Sequence, residues 1–127
     1  MKALDTNVLV RLLTRDDEAQ AKKAYAYVKK NQPVLINHIV LCETMWVLAK
    51  LYEHTKTEIV KILDNMLLSD IFVIAENDIV WAALNEFQNH TAEFSDILIG
   101  HINHKNNAIT ATFDKKAARI RYFEHLA

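Results

Sequence analysis

The chain has 127 residues, of which 51% are hydrophobic, and a formal net charge of −1. This length predicts one domain, residues 1–127, with enough apolar side chains for one core, and the near-neutral charge argues against a strongly basic nucleic-acid binder. The single cysteine, Cys42, excludes a disulfide framework, and the lack of a long apolar run or a signal sequence predicts a soluble, cytoplasmic protein without a membrane partner.

Apolar periodicity predicts an alternation of short strands and helices along the whole chain. In chain order we expect a strand at 2–5, helices at about 8–13 and 16–31, a strand at 33–36, helices at 38–53 and 56–68, a strand at 71–75, helices at 78–90 and 95–106, a strand at 108–113, and a fifth strand near Tyr122 and Phe123. Ser95 is predicted to cap the last helix. The pattern favours an α/β fold with a central parallel sheet of four to five short strands, covered on both faces.

Four acidic residues stand where such a sheet would present them together. Asp5 ends the first apolar run and Asp114 ends the last, so both would lie at carboxyl ends of strands, where open α/β sheets bind ligands. Asp96 would lie in the first turn of its helix, and Glu43 in the early turns of the helix at 38–53. Carboxylate oxygens are the preferred ligands of Mg²⁺ and Mn²⁺, so convergence of the four would predict a metal site for phosphodiester chemistry.

Each acid also has a purely structural interpretation. Asp5 could cap the helix that follows it, Asp96 could complement a helix dipole, and Asp114 could belong to a turn. Glu43 could be a solvated helix residue, although its neighbours in the sequence are apolar.

The four acids occur in a recognisable order: Leu4-Asp5-Thr6-Asn7-Val8-Leu9, a helix carrying Glu43, Phe94-Ser95-Asp96-Ile97-Leu98-Ile99, and Thr112-Phe113-Asp114-Lys115. Together, over nearly the whole chain, these segments resemble the PIN domain family. The compact length and the helices at 38–68 are similar to VapC-type ribonuclease toxins of toxin–antitoxin pairs. The resemblance implies a three-layer α/β/α fold, a metal-dependent endoribonuclease, a cognate antitoxin as partner, and both homodimers and hetero-oligomers.

Charge repulsion suggests how such a site would work, because clustered carboxylates either take up protons or recruit a cation. In this hypothesis Asp5 and Asp96 are the principal ligands of Mg²⁺ or Mn²⁺, Asp114 completes the site, and Glu43 holds a metal-bound water or a second ion. Residues that would orient these groups by hydrogen bonds are Thr6, Asn7, Ser95 and Thr112. Hydrolysis by water would leave 5′-phosphate and 3′-hydroxyl ends.

Candidate RNA contacts are basic residues near the acids. Residues 115–127 carry a local charge of +3, and we predict phosphate contacts from Lys115, Lys116 and Arg119, with Arg11 as a further candidate. A solvated charged face is the alternative interpretation.

The predicted helices at 38–68 contain more apolar side chains than one buried stripe requires. An amphipathic antitoxin segment in a hydrophobic groove would cover the surplus, and core packing with a homodimer interface would also explain it. Both interpretations remain open at this point.

Other functional classes fit the sequence less well. A haloacid-dehalogenase-like phosphatase needs a second aspartate where this chain has Asn7, and a receiver domain needs a paired acidic motif that is absent. His101 and His104 are expected to be a surface pair rather than zinc ligands, and Cys42 to pack as a small hydrophobe. The remaining rival is a noncatalytic PIN-like module that acts through a protein partner.

Overall fold

Six α-helices and five short strands follow one another in the order that the periodicity predicts. The structure, a computed structural model, describes residues 1–127. It comprises two units, residues 1–75 and residues 76–127. No helix is long and apolar enough to span a membrane.

The first unit contains three strands and four helices. In chain order they are β1 (Lys2–Ala3), α1 (Thr6–Thr14), α2 (Glu18–Asn31), β2 (Val34–Ile36), α3 (His38–Lys50), α4 (Lys56–Leu68) and β3 (Phe72–Ile74). The three strands are parallel and pair in the order β1-β2-β3, with Ala3 opposite Leu35 and Leu35 opposite Val73. Because the strands are parallel, the residues that follow them emerge at one edge of the sheet.

Each helix of the first unit begins at a side chain that accepts a hydrogen bond from the free backbone N–H groups of its first turn. These N-cap residues are Asp5, Asp17, Asn37 and Thr55. Thr55 also forms a capping box, because the Glu58 carboxylate accepts from the Thr55 backbone N–H at 2.8 Å. Local polar residues therefore fix where each helix starts, and the apolar side chains fix which face is buried.

The core of the first unit lies between the sheet and its helices. Leu9, Val34, Ile36, Leu41 and Leu63 are fully buried there. Such close packing holds α1 and α3 in a fixed arrangement, and Asp5 caps the first of these helices while Glu43 lies on the second.

The second unit contains two helices and two parallel strands. They are α5 (Asn77–Gln88), α6 (Phe94–Lys105), β4 (Thr110–Thr112) and β5 (Phe123–His125), with a 3₁₀ turn at Ala117–Arg119 between the strands. Thr110 pairs with Phe123 and Thr112 with His125. Apolar side chains of α5 and α6 form the buried part of this unit, and they include Val80, Ala83, Leu84, Ile97 and Leu98.

The α/β class and the parallel strands are confirmed. The five strands pair as a three-stranded sheet in the first unit and a two-stranded sheet in the second. The predicted cap of α6 is wrong, since the helix begins at Phe94, with Glu93 at the N-cap position and Ser95 inside the first turn. Phe94 is buried and packs edge-on against Phe87 at 5.7 Å between ring centroids, which draws it into the helix.

Candidate functional site

Asp5 lies two residues beyond the end of β1, as predicted, and begins α1. Its Oδ1 accepts a hydrogen bond from the backbone N–H of Val8 at 2.9 Å. Its Oδ2 has no hydrogen-bond partner within the protein, and the residue is exposed. The capping role and a ligand role are therefore compatible, because they use different oxygens of one carboxylate.

Glu43 lies in the second turn of α3 and is connected to the start of α1 through Thr6. The Thr6 hydroxyl donates a 2.7 Å hydrogen bond to Glu43 Oε1. Since Thr6 follows Asp5 directly, this bond fixes the position of Glu43 relative to the Asp5 segment. The sequence predicted Thr6 as an orienting residue, and its hydroxyl has a carboxylate partner of the expected kind.

Asp96 and Asp114 belong to the second unit and influence each other. Asp96, in the first turn of α6, is partly buried, and its pKa is raised above the ordinary value. Desolvation is the largest cause, followed by repulsion from the carboxylates of Glu93 and Asp114. Glu93 was not among the predicted residues, although its position one helical turn before Asp96 is a signal that the sequence contains.

Asp114 follows β4 and is fixed by its own turn. Its backbone N–H donates to the Thr112 hydroxyl at 3.0 Å, and its Oδ1 accepts from the backbone N–H of Lys116 at 2.8 Å. Thr112 therefore orients the backbone at Asp114. The other two predicted orienting residues, Asn7 and Ser95, make no side-chain hydrogen bond within the protein.

The predicted basic residues differ in their surroundings. Lys115, Lys116 and Arg119 are exposed and form no ion pair. The guanidinium of Arg11 instead pairs with Asp16 at 3.0 Å.

The network around Arg11 was not anticipated from the sequence. The Arg11 Nε donates to Gln20 at 2.7 Å, Arg11 Nη1 donates to the hydroxyl of Tyr52 at 3.2 Å, and that hydroxyl donates to Asp16 at 2.6 Å. Desolvation lowers the pKa of Arg11, but the Asp16 charge and the hydrogen bonds outweigh it, and the pKa is raised. Tyr52 lies 41 residues from Arg11 in sequence, so no local pattern could predict the contact.

The chemistry of the available donors suits a hard cation. All four predicted acids offer carboxylate oxygens, which Mg²⁺ and Mn²⁺ prefer. Asp5 and Glu43 belong to the first unit, and Asp96 and Asp114 to the second. Within neither unit do three or more His, Cys, Asp or Glu side chains form a group that could hold a metal ion.

The histidine and cysteine side chains considered as softer metal ligands, His101, His104 and Cys42, are in surroundings that do not favour metal binding. The expected surface pair of histidines is corrected for His101, which is buried with its Nε2 2.7 Å from Glu86 Oε1, while the His104 ring stacks on Tyr122. Both rings pack against the C-terminal segment, which explains why the predicted surface location fails for His101. Burial raises the pKa of the Cys42 thiol to about 11, so it is protonated at neutral pH.

Several apolar side chains in the helices at 38–68 are exposed, as their surplus in the sequence suggested. Ile39 and Trp46 are 72% and 50% exposed on the same face of α3 as Glu43. Leu51 and Leu68, which follow or end the two helices, are also exposed.

A model of the PIN domain family matches residues 2–121, which is nearly the whole chain. PIN domains are generally nucleases and typically use divalent metals. No curated protein matches the chain.

Proposed function

We propose that this chain, which belongs to the PIN domain family, is a Mg²⁺- or Mn²⁺-dependent endoribonuclease and the VapC-type toxin of a toxin–antitoxin pair. The observation that carries the proposal is the environment of Asp96. Its carboxylate is partly desolvated beside Glu93 and Asp114, and its pKa is raised. No Lys or Arg pairs with Asp96 or Asp114, since the ion pairs of the protein involve other carboxylates. Like charges held together without a protein cation are typical of a site that a divalent ion completes.

The acids have distinct roles in this proposal. Asp5 and Asp96 are the principal ligands of the metal, Asp114 completes or supports the site, and Glu43 holds a metal-bound water or a second ion. The bond from Thr6 to Glu43 and the bond from Asp114 to Thr112 support these roles, because each restrains a carboxylate or its backbone before substrate arrives. Bound Mg²⁺ or Mn²⁺ supplies Lewis-acid stabilisation of the charge that develops on the phosphoryl oxygens and lowers the pKa of water.

The direct test is incubation of antitoxin-free protein with total bacterial RNA in Mg²⁺, Mn²⁺ or EDTA, followed by mapping of new 5′ ends. Asp5→Asn is the first variant, and Asp17→Asn is its matched control. Both residues are N-caps that accept from a first-turn amide, and asparagine preserves that cap. We expect discrete, metal-dependent cuts that Asp5→Asn abolishes and Asp17→Asn retains.

A second pair of variants tests the second unit. Asp96 and Asp78 are both first-turn acids, of α6 and α5 respectively. We expect Asp96→Asn to abolish cleavage and Asp78→Asn to retain it. Products should carry 5′-phosphate and 3′-hydroxyl ends, and 2′,3′-cyclic phosphate ends would contradict attack by water.

The exposed apolar side chains of α3 support a protein partner as well. Ile39 and Trp46 flank Glu43, so an amphipathic antitoxin segment bound there would lie beside a proposed catalytic carboxylate. Copurification with a small neighbour-encoded protein, lost in Ile39→Asp but not in Leu68→Asp, would support this surface. A homodimer interface is the alternative. In that case the isolated chain would have the mass of a dimer in solution, Ile39→Asp would have the mass of a monomer, and Leu68→Asp would remain a dimer.

A noncatalytic module remains the second candidate function, favoured by the same exposed apolar surface. In that case a folded protein that binds Mn²⁺ would cleave no RNA in any metal, while its partner would still copurify.

A further inference from the structure

A groove lies between α1 and α2 and opens beside Asp5. Its volume is about 530 Å³, and apolar side chains of Leu4, Val8 and Ala24 line part of it. This volume falls within the range of about 300–1,000 Å³ that is typical of small-ligand sites. The groove therefore has room for one nucleotide next to a proposed metal ligand.

Polar groups converge on the same groove from both helices. Asn7 of α1 and Gln20 and Lys23 of α2 line it. Arg11 donates to Gln20 Oε1, which leaves the amide N–H groups of Gln20 as donors without a partner in the protein. The Asn7 side chain also makes no hydrogen bond within the protein. The two amides are therefore available to a ligand.

The charge of α2 favours an anionic ligand. The helix carries Lys22, Lys23, Lys29 and Lys30 against the single acid Glu18, and none of these lysines forms an ion pair. Lys23 faces the groove, and the helical spacing puts Lys30 further along the same side. Lys23 therefore places a cation without an ion-pair partner in the groove that opens beside Asp5, in a chain whose net charge is −1.

Tyr27 supplies an aromatic face. It lies one turn beyond Lys23, lines the groove, is 41% exposed, and its hydroxyl has no hydrogen-bond partner within the protein. Aromatic rings next to lysines are the combination with which proteins bind single-stranded nucleic acids, because bases stack on the ring while cations contact the backbone.

We propose that this groove binds one nucleotide of the RNA substrate, next to the phosphodiester that is cleaved. The base stacks on Tyr27, Lys23 contacts a flanking phosphate, and the amides of Asn7 and Gln20 hydrogen-bond to the base edge. This inference rests on the proposed ribonuclease function and adds the position at which the enzyme recognises its substrate.

Binding tests the proposal without relying on cleavage. Single-stranded RNA tetranucleotides of one base each are titrated into the full chain carrying Asp96→Asn, in Mg²⁺, with fluorescence anisotropy as the readout. Tyr27→Ala should weaken binding about five- to a hundred-fold, which is the range for loss of one stacked base, and Tyr27→Phe should bind like the parent. Tyr25→Ala is the matched control, because Tyr25 is 52% exposed on the same helix but does not line the groove.

The salt dependence of binding tests Lys23 separately. Loss of one phosphate contact reduces the slope of log K against log salt by about 0.7 for single-stranded nucleic acid. We expect this change in Lys23→Gln and an unchanged slope in Lys22→Gln, its neighbour outside the groove.

The outcomes separate this inference from the proposed function. If the wild-type protein cleaves RNA but Tyr27→Ala and Lys23→Gln bind RNA like the parent, the proposal that the groove binds a nucleotide is contradicted, while the ribonuclease function is supported. If wild-type protein cleaves nothing but binding still depends on Tyr27 and Lys23, the groove is supported as a nucleotide-binding site, while the ribonuclease function and the position beside a cleaved bond are contradicted. If no tetranucleotide binds to the parent protein, the groove is overturned.

Discussion

The hydroxyl of Thr6 lies 2.7 Å from Oε1 of Glu43 and joins the first turn of α1 to α3. Thr6 follows Asp5, whose carboxylate caps the same helix. The Thr6 hydroxyl thus ties Glu43 to the chain segment that carries Asp5, although Thr6 and Glu43 are 37 residues apart in sequence.

Thr6→Val should weaken metal binding with little effect on the fold. Valine keeps the branched shape of threonine but removes the donor, so Glu43 loses the bond that orients it. Loss of a partner that orients a metal-site residue reduces metal affinity by about ten- to a hundred-fold, and we expect the lower end because the pair is exposed. Calorimetric titration with Mn²⁺ measures this, and Thr6→Ser, which keeps the hydroxyl, should bind like the wild type. Equal affinity in all three proteins would show that the bond has no role in metal binding.

The carboxylate of Glu86 should be the most sensitive polar group of the second unit. Its Oε1 lies 2.7 Å from His101 Nε2, and its Oε2 accepts from the backbone N–H of Arg121 at 2.9 Å. Glu86→Ala leaves both partners without an acceptor, which should cost about 3 kcal/mol of unfolding free energy. Urea denaturation measures the loss, with Lys105→Ala as the control.

The control breaks an exposed pair in the same unit. Lys105 and Glu76 form an ion pair at 3.2 Å with side chains 56% and 39% exposed. Such pairs contribute less than about 1 kcal/mol. If Lys105→Ala destabilised the protein as much as Glu86→Ala, the hydrogen bonds of Glu86 would not explain the result.

The sequence predicted the features that depend on neighbouring residues. The helix at 56–68 has the predicted bounds, because Thr55 and Glu58 form a capping box three residues apart and an apolar stripe follows. Asp5 and Asp114 lie beyond β1 and β4 as predicted, because an apolar run marks each strand in the sequence, although the residues of β1 are exposed and those of β4 are exposed or half-buried. The prediction that Ser95 caps α6 was wrong. Although serine is a good N-cap residue, the helix begins one residue earlier, at Phe94, whose side chain is buried.

The contacts that the sequence could not predict are distant ones. Arg11 binds Asp16 nearby but also Tyr52, and His101 binds Glu86 rather than solvent. Neither partner is marked by periodicity, since hydrogen bonding across elements depends on tertiary packing. The convergence of all four acids stays a prediction for the same reason.

Acid should remove the stabilising contribution of Asp16. The hydrogen bond from the Tyr52 hydroxyl is the largest cause that lowers the pKa of Asp16, and Thr14 and Arg11 lower it further against desolvation. A lowered folded-state pKa means that the ionised carboxylate stabilises the fold above the ordinary value of 3.8, and that this stabilisation is lost as the pH falls through the folded-state pKa. The difference in unfolding free energy between wild type and Asp16→Asn should therefore be present at pH 7 and shrink at pH 3.

The matched control for this experiment is Asp70→Asn, which changes an exposed acid that forms no ion pair. Its difference from wild type should stay near zero at both pH values. A difference for Asp16→Asn that is the same at pH 7 and pH 3 would contradict the assignment, because neutralising the carboxylate would then have no effect.

Gly100 should resist substitution, because α6 and β5 approach each other closely there. A Cβ at this position would collide with the Phe123 ring and lie 3.3 Å from the Arg121 carbonyl oxygen. Alanine in a helix is otherwise about 1 kcal/mol more favourable than glycine, whereas overpacking costs about 1–3 kcal/mol, so Gly100→Ala should be destabilising. In a Phe123→Ala background the ring is absent and only the close approach to the Arg121 carbonyl oxygen remains, so the same substitution should be clearly less destabilising. Urea denaturation of the four proteins measures both differences, and destabilisation of equal size in the two backgrounds would exclude the ring as the cause.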